Sequence, residues 1–226
     1  MYNGLEKADV VEKNGAGAAD GCLQVLSYTV SDEKKEIYTV SLNNGAVLDL
    51  TAEEFFENSM YDSDIPLSIS FDDLIFNIYS KRAFYESVRF VLFAKKTVSQ
   101  VRDHLTDLGY DESCIEFAVN SLKEEGYLDD FAYAKKFIKK AVDSRIVSCR
   151  MIICELKQKG ITEEIVRVCL DELDIDDYTL AQKAVAKKKT LGVTDTIKIR
   201  RFLAGKGFSG DAVRQAIGSD IFDENI

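Results

Sequence analysis

The stretch Glu155-Leu156-Lys157-Gln158-Lys159-Gly160-Ile161-Thr162-Glu163-Glu164-Ile165-Val166 reads as the end of one helix and the start of the next. A glycine just past a helix adopts the left-handed backbone that closes it, and the apolar residue that follows packs back on the last turn, here on Leu156. Thr162 then stands at N-cap, with Ile161 one residue before it and Val166 four residues after, the spacing of a hydrophobic staple. The same punctuation recurs at Gly109-Tyr110-Asp111 and Gly207-Phe208-Ser209, with Leu105 and Leu203 before the glycine and Ile115 and Val213 completing the staple.

The agreement extends outward from each glycine. Eight residues earlier sits an aliphatic (Val101, Ile152, Ile199), twelve earlier a capping residue (Thr97, Ser148, Asp195), and ten later another aliphatic (Val119, Leu170, Ile217). A further helix precedes each pair, carried by Phe84/Val88/Val91/Leu92, by Phe131/Ala134/Ile138/Ala141 and by Ala181/Ala184/Val185 at helical spacing. The glycines lie 51 and 47 residues apart, and the difference is local: Gly109 to Asp129 is 20 residues, Gly160 to Asp176 only 16. One helical turn is therefore missing from the last helix of the second repeat. A period near 50 residues identifies a repeat array whose units stack and present a long surface for binding.

Upstream the period changes. Leu23–Val30, Ile37–Leu42 and Val47–Leu50 alternate as strands, joined by a charged turn at Asp32–Lys35 and by Asn43-Asn44-Gly45, which tolerates the positive φ of a tight hairpin. Thr51-Ala52-Glu53-Glu54 is a capping box, Pro66 marks a linker, and Ser70-Phe71-Asp72-Asp73 opens another helix. The fold class expected is mainly α: three tandem three-helix repeats in an elongated array, preceded by a small β-meander with a short helix. The expected divisions are a flexible leader at 1–21, the meander and helix at 22–79, repeats at 80–128, 129–175 and 176–220, and an acidic tail at 221–226.

Charge divides along the same line. The 226 residues carry a net charge of −10, yet residues 1–80 hold 4 Lys/Arg against 15 Asp/Glu, whereas 81–226 hold 25 against 24. Basic faces in the helical part can therefore meet a polyanion or an acidic protein groove. Lys135, Lys136, Lys139 and Lys140 lie on the first helix of the second repeat, and Lys183, Lys187, Lys188 and Lys189 on the first helix of the third. Counted from Asp129 and Asp176, Lys136 matches Lys183 and Lys140 matches Lys187, so stacking would align them into a stripe suited to phosphates or carboxylates. Arg102, Arg150, Arg200 and Arg201 form a second basic set on the middle helices. A solvated helix face, or salt bridges to Asp103, Asp107 or Glu155, is the structural alternative.

Catalysis is disfavoured. There is a single histidine, His104, read as an ordinary boundary residue, and no Gly-rich phosphate loop or Ser/His/Asp set. Five cysteines without a C-x-x-C pair suggest reduced, mostly buried thiols, with no metal and no cofactor. Asp129-Asp130 and Asp176-Asp177 are best read as N-caps. The aromatics Phe84, Tyr85, Phe90, Phe93, Tyr127, Phe131, Tyr133 and Phe137 are assigned to packing before base stacking. No apolar run reaches the ~20 residues that span a bilayer, and the N-terminus lacks a signal peptide, so a cytoplasmic protein is expected.

From about Ser80 to Ile217 the chain resembles the RecX family, regulators of the RecA recombinase. The resemblance rests on Gly126-Tyr127-Leu128-Asp129-Asp130 followed by Ala134 and Phe137, on Glu155-Leu156-Lys157-Gln158-Lys159-Gly160-Ile161, and on the threefold repeat. It implies a curved helical array lying in the groove of the RecA filament on single-stranded DNA, inhibiting its ATPase and strand exchange and so regulating recombination and repair. The partners expected are the RecA filament and single-stranded or duplex DNA, with no membrane, for a monomeric protein without enzymatic activity. Two other readings stay open: a stand-alone helical DNA-binding protein, and a helical-repeat adaptor for another protein.

Overall fold

The computed structural model describes residues 22–32 and 36–223; the leader expected at 1–21 lies outside them. The described residues divide into two compact units, the first comprising those up to Tyr85 together with Thr106–Ala118, the second Glu86–Leu105 and those from Val119 onward.

In the first unit, β1 (Val25–Asp32), β2 (Ile37–Leu42) and β3 (Val47–Thr51) form an antiparallel sheet in the order β1-β2-β3. The hairpin turns where the sequence places it: Gly45 has φ +84°, and the Asn44 side-chain oxygen accepts from the Ala46 N–H at 3.0 Å. Alternation puts Val40, Leu42, Leu48 and Leu50 inside, against Phe55 of α1 (Ala52–Glu57) and Leu74 and Ile78 of α2 (Phe71–Phe93). The capping box forms, with Glu54 N–H donating to Thr51 Oγ1 and Thr51 N–H to Glu54 Oε2. Glu54 is also engaged from the other side: its carboxylate takes two hydrogen bonds of 2.7 Å from Arg82, whose guanidinium also donates to the Asp49 carbonyl at 2.8 Å. No proline or glycine interrupts 71–93, so α2 runs through the expected division between residues 79 and 80.

The remaining helices are α3 (Val98–Asp107), α4 (Glu112–Glu124), α5 (Asp130–Ser144), α6 (Cys149–Lys157), α7 (Glu163–Glu172), α8 (Asp177–Thr190), α9 (Thr196–Gly205) and α10 (Gly210–Asp223). α10 thus extends into the stretch expected as a tail. Helices α5 to α7 close one core around Ile138, Ile152, Leu156 and Val166; α8 to α10 close another around Val185, Ile199, Leu203 and Val213. The missing turn is visible in α7, which has 10 residues where α4 has 13.

The repeat glycines do what their spacing demands. Gly160 has φ +80°; its N–H bonds the Lys157 carbonyl and the Ile161 N–H returns to the Leu156 carbonyl at 3.1 Å. Gly207 and Phe208 repeat both bonds on Ala204 and Leu203. Ser209 caps α10 through the Ala212 N–H. Thr162 departs from expectation: it holds the N-cap position, yet its side chain makes no capping bond and instead serves the Glu164 carboxylate.

Candidate partner-binding surface and the contacts that position it

Within the second unit, two sets of equivalent contacts tie successive helices together. Thr97 and Ser148 cap α3 and α6, accepting from Gln100 and Met151 N–H, and the same hydroxyls donate to carbonyls one repeat onward: Thr97 Oγ1 to Lys159 O at 2.6 Å, Ser148 Oγ to Lys206 O at 2.8 Å. Each accepting carbonyl belongs to the residue before a repeat glycine. A hydroxyl can accept and donate at once, and both are fully buried. Asp195, the corresponding cap of α9, is a carboxylate that accepts from Ile197 and Lys198 N–H and has no proton to pass on.

The Asp pairs form the second set. Asp129 and Asp176 cap their own helices, α5 and α8, accepting from Ala132 and Thr179 N–H at 2.9 and 2.8 Å. The expectation of N-capping holds for these two; their neighbours reach elsewhere. Asp130 accepts from the Val98 N–H at the start of α3, and Asp177 from the Cys149 N–H at the start of α6 at 3.0 Å and from the Ser209 N–H ahead of α10 at 2.9 Å. Asp177, in the first turn of α8, thus brings its negative charge to the positive ends of α6 and α10 and satisfies a free N–H group at each.

Electrostatics follow the burial. Desolvation pushes the Asp130 carboxyl above the ordinary carboxylate range, against the opposing pull of Val98 N–H and Lys123. The Thr179 N–H holds Asp176 below that range. The Cys149 thiol is pushed up to about 12, first by burial and then by the Asp177 and Asp176 carboxylates, which keeps it protonated and unreactive at neutral pH. Cys114 and Cys169 are buried, but Cys22 and Cys154 are exposed, so burial of the thiols is only partial.

The clamps fix α5 and α8, the helices that carry the predicted lysines. α5 turns Ala134, Ile138 and Ala141 inward, leaving Lys136, Lys139 and Lys140 exposed; α8 buries Leu180, Ala181, Ala184 and Val185 and exposes Lys183 and Lys187. Among the described residues, none of these five lysines is in an ion pair with an acidic side chain. Other predicted cations are engaged: Lys135 pairs with Glu172, Lys188 Nζ lies 3.8 Å from the centre of the Phe202 ring, and Arg102 and Lys189 also have partners. Arg150, Arg200 and Arg201 are exposed on α6 and α9, and Arg102 is half-buried on α3. Glu155, considered as a partner for these arginines, pairs with Arg145.

His104 stacks on Phe90 with ring centres 4.1 Å apart, in keeping with a boundary role, and Lys96 Nζ lies 4.2 Å from the same Phe90 ring. Tyr133 and Phe137 pack on the core of α5 to α7 as assigned. Tyr85 and Phe131, at 41% and 43% exposure, depart from that assignment in part and Phe93 altogether: it is 93% exposed, beside the exposed Leu92, at the end of α2. The signal for it was its place, with Lys95 and Lys96 two and three residues on and directly ahead of the Thr97 cap. Among the described residues no group of three His, Cys, Asp or Glu gathers as metal ligands, and no helix is long and apolar enough to cross a membrane.

The fold and its paired clamps define a helical-repeat protein with an N-terminal sheet. No family model matches the chain. It is 30% identical over 217 residues to the regulatory protein RecX of Clostridium botulinum strain Alaska E43, an alignment covering 88% of this chain and 99% of that relative. A second RecX, from strain Eklund 17B, is 34% identical over 140 residues, 57% of this chain and 65% of the relative. Two crystal structures share the fold: a regulatory protein RecX, with TM-score 0.59 and 17% identity over 87% of this chain and 99% of that one, and RecX from Lactobacillus salivarius, with TM-score 0.52 and 23% identity over 62% and 96%. The chain belongs to the RecX family.

Proposed function

We propose that the chain binds a RecA filament assembled on single-stranded DNA and lowers its ATPase and strand exchange, acting as a regulator without catalysis of its own. The observation that carries this reading beyond family membership is the set of exposed lysines outside ion pairs, Lys136 and Lys140 on α5 and Lys183 and Lys187 on α8, at matching positions on helices held by matching clamps. Such a set suits a surface that repeats, whether of carboxylates on a protein filament or of phosphates along a strand. Arg150, Arg200 and Arg201 extend it, and the exposed Phe93 with Lys95 offers an apolar contact next to positive charge. The three units at 80–128, 129–175 and 176–220 are proposed as its repeating elements.

The test is binding of the full chain to RecA–single-stranded DNA filaments and to bare single-stranded and duplex DNA, across a salt series. Charge reversal of Lys136, Lys140, Lys183 and Lys187 together should weaken filament binding at least tenfold without loss of helicity. Equal affinity for bare DNA, with a steep salt slope, would replace this reading by a stand-alone DNA-binding protein. Binding to neither would leave an adaptor for another protein.

A further inference from the structure

The sheet of the first unit has two edges of different character. At the β3 edge, Arg82 occupies the Asp49 carbonyl and α1 follows directly. At the other edge lies β1, the longest strand, which pairs only with β2 among the described residues. Its sequence, Val25-Leu26-Ser27-Tyr28-Thr29-Val30-Ser31-Asp32, contains none of the proline or lysine by which natural edges avoid further pairing. Two irregularities in register, at Val25/Ser27 and Val30/Asp32, bracket a regular ladder between them.

Apolar side chains accompany the open edge. Leu26 is 62%, Val30 49% and Tyr28 44% exposed. Tyr28 and Val30 lie opposite Val40 and Tyr38, and Tyr28 meets Phe55 of α1 edge-on at 4.9 Å. The ring contacts run on from Phe55 to Phe56 at 5.2 Å and from Phe56 to Tyr61 at 6.1 Å, both of the last two exposed. An apolar strip therefore borders the unpaired backbone.

Charge selects the occupant. Asp62 and Asp64 flank Ser63, whose carbonyl accepts from Gln24 beside the start of β1, and the stretch 32–36 at its other end holds three acidic residues against two lysines. Residues 22–80 hold 2 lysines and arginines against 11 acidic residues, a net of −9. A second copy would bring the same negative charge to the edge. Residues 1–21 are themselves net negative, with 2 lysines against 4 acidic residues.

We propose that the β1 edge accepts an extended segment of another protein, basic and with apolar residues at alternate positions, which adds a fourth strand to the sheet. Main-chain hydrogen bonds supply the ladder, alternate apolar side chains cover Leu26, Tyr28 and Val30, and the intervening cationic residues meet Asp62 and Asp64.

The probe is a labelled peptide, acetyl-Lys-Val-Lys-Ile-Lys-Val-Lys-amide, titrated with the full chain at physiological salt and read by fluorescence anisotropy. Saturable one-to-one binding is expected, weakened at least tenfold by proline in place of the central isoleucine, by glutamate in place of the lysines, and by Val30→Lys or Leu26→Lys in the protein with circular dichroism unchanged. Equal binding of the proline peptide would overturn the proposal, since charge alone would then hold it. A dimer in sedimentation that Val30→Lys dissociates would assign the edge to a second copy instead. Peptide binding only after removal of residues 1–21 would assign it to the chain's own N-terminal segment.

Discussion

Removing the Asp177 carboxylate separates the clamp from ordinary helix capping. Asp177→Ala deletes the acceptor for two backbone N–H groups, those of Cys149 at 3.0 Å and Ser209 at 2.9 Å, at the start of two different helices. A hydrogen bond to a charged group contributes about 1.5–3 kcal/mol, and half-burial places each of these at the low end, so the loss of both should be about 3 kcal/mol. Asp176→Ala, next door, removes one N-cap and should cost about 1 kcal/mol. Asp177→Asn keeps one acceptor oxygen and should fall between them. Urea unfolding measures this as a shift of midpoint at constant slope, and hydrogen exchange locates it at the Cys149 and Ser209 amides. An Asp177→Ala cost no greater than that of Asp176→Ala, with both amides still protected, would refute the clamp.

Other outcomes follow from the same contacts. A Cβ on Gly160 would stand 2.0 Å from Ser99 Cβ, whereas one on Gly126 meets nothing within 4 Å; both have positive φ. Gly126→Ala should therefore cost about 1 kcal/mol of backbone strain, and Gly160→Ala several times more in the same urea assay. Asp130 has a raised carboxyl pKa in the folded chain, so its ionisation opposes folding: the stability lost lies between the unfolded value of about 3.9 and the raised folded value, as pH increases. Thermal melts should show Asp130→Asn gaining on the parent as pH rises through that window, and a gain that shrinks would contradict the sign. Asp176 has the opposite sense, its contribution present above about 3.9 and lost as pH falls through its lowered folded value, so Asp176→Asn should lose most at neutral pH and least in acid. Arg82 and Glu54 form an ion pair with side chains only 9% and 7% exposed; Arg82→Ala strands the carboxylate and should cost about 3–5 kcal/mol by chemical denaturation, the double variant Arg82→Met/Glu54→Gln markedly less.

The turns were legible because their physics is local. A glycine with positive φ, a cap residue and a staple fall within eight residues, so Gly109, Gly160 and Gly207 declare the helix ends without reference to the rest of the chain. The meander and its Asn44-Gly45 turn were legible for the same reason. The clamps were not, because they join residues 28 to 62 positions apart. One trace of them was present: the caps Thr97 and Ser148 carry hydroxyls that both accept and donate, while Asp195 does not. The division expected at residue 80 falls inside α2, because the chain there has neither proline nor glycine to mark where the first repeat begins. At the basic surface, residue type and position were readable, but the engagement of Lys135 by Glu172 and of Lys188 by Phe202 depends on tertiary packing.

The most direct test of the account is the ATPase rate of the cognate RecA on single-stranded DNA as the chain is titrated in, beside its binding to the same DNA without RecA. The account predicts inhibition well below one copy per RecA, weak binding to bare DNA, and loss of inhibition on charge reversal of Lys136, Lys140, Lys183 and Lys187. An unchanged ATPase rate together with tight binding to bare DNA would contradict it.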